Sequence, residues 1–192
     1  MALGAYAPRA SGPNPTGANR EQPQEERMEP SDERITTEVL GVLDGEIKRR
    51  AQHSILLLPD NWPYGDHEPV YASTTDSIAK LFAQNGIRAE ILDNIDGSTA
   101  LRDNRSVVWV APTLLITGLM LSQNPLAASL AISMIANYVT DIFKGLEDDP
   151  VVNVKVVESV SAEGTARRIF YQGPVSGLSE LSSLLSRDSA EK

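Results

Sequence analysis

Residues 106–140 read SVVWVAPTLLITGLMLSQNPLAASLAISMIANYVT, and none of them is Asp, Glu, Lys or Arg. A membrane-spanning helix needs about 20 mostly apolar residues, so length alone would allow one here. Pro112 and the break Ser122-Gln123-Asn124-Pro125 divide the stretch into unlike pieces, and Ser129, Ser133, Asn137 and Thr140 are too polar for a lone lipid-facing span. No Lys/Arg cluster marks either end. The better account is a central strand followed by a central helix, buried inside a soluble, cytoplasmic particle. Asn124 and Pro125 form a helix start, an N-cap with proline at the first helical position. Leu126, Leu130, Met134, Tyr138 and Ile142 recur every four residues, while Ile132, Ile135, Val139 and Phe143 occupy other faces. A helix apolar all round must be covered, and a partner subunit would cover its surplus surface.

Working upstream, Ser54-Ile55-Leu56-Leu57-Leu58-Pro59-Asp60 and Arg88–Asp93 are short apolar runs that read as strands buried on both faces. Between them, Ser73–Gly86 predicts a helix through Ile78, Leu81 and Phe82, stopped by Asn85-Gly86. Ser106–Ala111 predicts a third strand. Strands alternating with helices predict parallel pairing with right-handed crossovers. Ahead of these, Ser31 as N-cap and Ile35, Val39, Leu43 and Ile47 at four-residue spacing, widened by Leu40, predict a helix over 32–52. Lys48, Arg49 and Arg50 would sit at that helix's negative end and serve its dipole rather than a phosphate, and His53 likewise.

Downstream, VVNVKVVESV (151–160) and ARRIFYQG (166–173), joined through SAEG, predict an antiparallel hairpin. Residues 174–187 predict a closing helix through Leu178, Leu181, Leu184 and Leu185. The fold class expected is therefore α/β: a short, mainly parallel sheet with helices on both faces, extended by a C-terminal antiparallel hairpin and closing helix. Residues 1–30, with five prolines, are expected to be a disordered arm, 31–187 a single domain and 188–192 a frayed tail. The helix–hairpin–helix ending is similar in outline to small accessory modules of bacterial conflict operons, although no motif carries that likeness.

The 192 residues comprise 41% hydrophobic and 22% charged residues, enough for a core, with a net charge of −9. Such a chain repels nucleic acid unless it hides a basic patch. Arg167 and Arg168, beside Phe170 and Tyr171, cannot form one patch, because adjacent strand residues point to opposite faces. One of them is placed to pair with a carboxylate such as Glu158 across the hairpin. The absence of cysteine removes disulfides, thiol nucleophiles and thiolate metal sites. The N-terminus lacks the cationic start and apolar run of a secretory signal. No GxGxxG, GxxxxGK[ST], GxSxG, HExxH or EF-hand pattern occurs.

Chemistry, if present, belongs at the carboxyl ends of the parallel strands. There the sequence offers Asp60, Asn61, Asp66, His67 and Glu68 after the first strand, Asp93, Asn94 and Asp96 after the second, and Pro112 and Thr113 after the third. Ser73 and Thr74 open the intervening helix. This acidic rim could take Mg²⁺ and a phosphorylated ligand, making the chain a small-ligand sensor or enzyme. The ordinary reading of Asp and Asn as turn residues competes with it. Preferred is a non-catalytic interaction or accessory subunit with no cofactor. Its partner is another protein or a second copy, contacted through Leu126, Leu130, Met134 and Tyr138, through the C-terminal hairpin, and through the loop aromatics Trp62 and Tyr64.

Overall fold

The computed structural model describes residues 34–93, 100–102, 108–159 and 165–187. The expected arm at 1–30, Asn94, Asp96 and the tail at 188–192 lie outside them. The content is mixed α/β. Strand β2 (Ile55–Leu58) is buried along its whole length, and β4 (Ala89–Ile91) pairs parallel to it. Between them in the chain comes helix α2 (Thr75–Gln84), which buries Ile78 and Phe82. This is the anticipated strand–helix–strand unit. A separate small sheet is formed by β3 (Val70–Ala72) and β5 (Ala100–Arg102), paired parallel.

The third strand departs from expectation in place and direction. Only Trp109–Val110 (β6) is extended in the anticipated stretch; the principal strand is β7 (Thr113–Thr117), beyond Pro112, and it runs antiparallel to β2. The alternation rule failed because no helix among the described residues between β4 and β7 returns the chain to the far end of the sheet. The chain therefore re-enters where β4 left off. After β7 two helices do make the return, α3 (Gly118–Gln123) and α4 (Ala127–Phe143), so β8 (Val151–Ser159) pairs parallel to β7.

The helix expected over 32–52 is also overturned. Residues Arg34–Val42 form strand β1, and only Gly45–Arg50 (α1) is helical, N-capped by the Asp44 side chain. The four-residue spacing of Ile35, Val39 and Leu43 concealed a segment rich in β-branched residues, whose state is decided by pairing with β9 (Thr165–Pro174). Lys48, Arg49 and Arg50 do end α1, as expected, but His53 lies beyond it. The hairpin of β8 and β9 forms as read, in a register that sets Glu158 opposite Arg167.

Main-sheet order is β1-β9-β8-β7-β2-β4, with β6 on β8. The hairpin does not extend an edge; it lies inside the sheet, between β7 and β1. Alternation along the strands sorts the core into two clusters. Ile55, Leu57, Leu114, Ile116, Val154 and Ile169 pack with α2, α4 and helix α5 (Leu178–Arg187). Leu56, Leu58, Leu115 and Val157 pack with Ile47 of α1 and with Trp62. Among the described residues no helix is long and apolar enough to cross a membrane.

Candidate functional site

The described residues of the predicted rim divide: Asp60, Asn61 and Asp93 are held by partners within the chain, and Asp66, His67 and Glu68 stay exposed. Asp60 follows β2 and is almost wholly buried. Its carboxylate is held by Lys155 of β8, whose Nζ also donates to the Asp60 carbonyl at 3.1 Å. The Asp60 N–H donates to the Val70 carbonyl at 2.6 Å. Asn61 then ties the loop shut: its Nδ2 donates to the Glu68 carbonyl and its Oδ1 accepts from the Val70 N–H, both at 2.9 Å. Trp62 leans on the smaller core cluster, and its carbonyl accepts from Arg168 Nη2 at 2.5 Å. Asp66, His67 and Glu68 sit exposed at the loop tip.

Asp93, after β4, is enclosed by two phenols. Tyr64 Oη donates to its Oδ2 at 3.1 Å and Tyr71 Oη lies 3.3 Å from the same atom, while the Asp93 N–H donates to Tyr71 Oη at 3.2 Å. Burial, reinforced by the neighbouring carboxylate, pushes both tyrosines above their ordinary pKa, Tyr71 strongly. Both therefore remain donors, and Asp93 is a fixed acceptor. Tyr64, expected as a contact aromatic, is instead half-buried in this network.

Thr113 reaches the same end through the amino terminus of β7, opposite Leu58, rather than through a carboxyl end. It is buried, and its Oγ1 has no hydrogen-bond partner. Ser73 and Thr74 precede α2; Thr74 is the N-cap but its side chain makes no capping bond, and Thr75 Oγ1 turns to the Ala72 carbonyl at 2.7 Å. Among the described residues no three His, Asp or Glu side chains are disposed to share a metal ion.

The two adjacent arginines point to opposite faces, as strand geometry requires. Arg167 pairs with Glu158 at 2.7 Å, and Arg168 lies 3.5 Å from Glu38 on β1. Arg50, at the end of α1, is engaged within the chain, with its Nε 3.7 Å from a Glu90 carboxylate oxygen. Its Nη1 and Nη2 donate to the Leu92 and Ile91 carbonyls at 2.5 and 2.9 Å, closing off β4. His53 is exposed and sits 3.4 Å from Gln123 of α3.

The predicted contact helix divides. Met134 and Tyr138 are half-buried against the core, Tyr138 tilted over Trp109 with ring centroids 6.1 Å apart. Leu126 and Leu130 are 71% and 44% exposed, and Ile142 is exposed too. The hairpin strands, paired along both long edges, present no free edge. Sequence reasoning missed Lys155 and Arg168 as the groups that bind the β2 loop. Their only signal was a cation within a strand, Lys155 alone in β8 and Arg168 beside Arg167 in β9. No protein-family model, curated protein or solved structure matches the chain.

Proposed function

We propose that this chain is a non-catalytic interaction subunit that meets another protein through the outer face of α4. The carrying observation is the pair Leu126 and Leu130, one turn apart and 71% and 44% exposed at the start of a helix whose only charged residue is Asp141, near its far end. Neighbouring apolar side chains left in water on one uncharged helix face mark a contact surface. The competing reading, an acidic rim holding Mg²⁺ and a phosphorylated ligand, loses support from the same geometry. Asp60 is neutralised by Lys155, and Asp93 is occupied by Tyr64 and Tyr71.

Two measurements test the proposal together. A thermal-shift series with Mg²⁺ and nucleotides is expected to leave the midpoint unchanged; stabilisation by several degrees would overturn the reading. In the native host, a photo-crosslinker placed at Leu126 is expected to give one discrete adduct that Leu130→Glu abolishes, whereas the same probe at exposed Glu46 gives none. Equal labelling at both positions would also overturn it.

A further inference from the structure

Strand β1 is one of the two edges of the main sheet, and we infer that it pairs with β1 of a second copy, in antiparallel register centred on Thr36. This goes beyond the α4 proposal and uses a different surface. Nine residues, Arg34–Val42, form the edge, and among the described residues no strand pairs with its outer side. Proteins usually guard such an edge with proline, lysine, a bulge or a short strand. This one contains neither proline nor lysine, and Val39 and Val42 are 73% and 71% exposed. A bulge does interrupt it, between Val39 and Gly41, where φ is +89°, but Arg34–Glu38 is regular.

That regular segment is self-complementary in charge. Arg34 and Glu38 project to one face, opposite Gln172 and Arg168 of β9. In an antiparallel pair centred on Thr36, Arg34 of each copy faces Glu38 of the other, Thr36 faces Thr36, and Ile35 faces Thr37. Opposite charges directly across a strand pair stabilise it, and like charges destabilise it. Neighbouring registers lose this: centred on Ile35, Arg34 faces Thr36; centred on Thr37, both charged residues face uncharged ones; and centred on Glu38 the carboxylates oppose each other. Behind Ile35 a groove of about 370 Å³ runs between β1 and α5, lined by Ser179, Glu180, Ser183 and Leu184. The second copy's strand closes the side of that groove, so the contact exceeds a bare ladder.

The experiment is a charge exchange read by light scattering at high micromolar concentration. The intact chain is expected to be a dimer. Arg34→Glu alone and Glu38→Arg alone each put two like-charged pairs across the axis and weaken association by about ten-fold or more. Mixing the two single variants restores both attractive pairs, so a heterodimer forms although neither variant dimerises by itself; the double variant, with the charges exchanged, also dimerises. A monomeric parent overturns the inference. So does a dimer indifferent to the single exchanges, or a mixture that stays monomeric. Hydrogen exchange on the unaltered chain is a second readout: protection of β1 amides must rise with concentration, and concentration-independent exchange there rejects the pairing. Leu126→Glu leaves this dimer in place, so loss of the α4 contact and loss of the edge contact are told apart.

Discussion

Glu158 on β8 and Arg167 on β9 face each other across the hairpin, and Arg167 Nη2 and Nε reach the same Glu158 oxygen at 2.7 and 3.0 Å. The carboxylate is almost wholly buried and the guanidinium mostly so. Removing one partner from such a pair leaves the other charge without compensation. Arg167→Ala is expected to cost about 3 kcal/mol in urea unfolding, and the double replacement Arg167→Met with Glu158→Leu appreciably less. Equal costs for the single and the double would mean that packing, not charge, dominates at this site.

Lys155 and Asp60 pose the same question where the β2 loop meets the sheet. Lys155→Met is expected to lower stability by about 3 kcal/mol, because Asp60 would stay buried unpaired. Asp60→Asn, which removes the charge but keeps an acceptor, should cost less. Chemical denaturation of the two variants checks the order.

Asn61 acts locally. Asn61→Ala removes both side-chain bonds across the loop, each worth about 1 kcal/mol. Faster amide exchange and proteolysis within 61–70 are expected, with a smaller change at the centre of the sheet. A uniform rise in exchange would contradict a local role.

Tyr71 ties stability to alkaline pH. Its pKa is raised in the folded chain by burial, so its contribution is fully present below the unfolded value, near 10, and is lost as pH rises above that value. Above pH 10 the unfolded chain releases a proton that the folded one keeps. Stability should therefore fall by about 1.4 kcal/mol per pH unit on this account. Tyr71→Phe is expected to flatten the profile above pH 10 relative to the parent, at a small cost near neutrality. Identical slopes would remove Tyr71 as the cause.

Buried and exposed positions of α4 should respond very differently. Ile135→Ala, in the core, is expected to cost about 3 kcal/mol, and Leu126→Ser less than about 0.5 kcal/mol in the isolated chain. Thermal unfolding compares them directly.

Legibility followed the range of the interactions. Where local pattern and burial agree, as in the run Ile55–Leu58, helix α2, helix α4 and the hairpin, the amino-acid order was enough. Where a distant partner decides, it was not. Ile35, Val39 and Leu43 carry a helical spacing, yet β9 claims most of their segment across more than 120 residues of chain. Thr113–Thr117 reads equally well in either direction, and with no return helix among the described residues before it, it runs antiparallel to β2. The predicted rim opens at Asp60, which follows β2, while Asp93 follows β4 and Thr113 stands opposite Leu58. Its chemistry was hidden because Lys155, which answers Asp60, lies 95 positions away.

Placing the last strand inward of the first has a temporal consequence. A ribosome delivers residues 34–42 long before residues 165–174, the only strand among those described that β1 joins. Throughout synthesis the amino-terminal segment waits with its backbone groups hydrated, and closing that largest loop is a late and slow event. Nascent molecules on neighbouring ribosomes therefore share a window in which early segments can find each other before their own β9 exists.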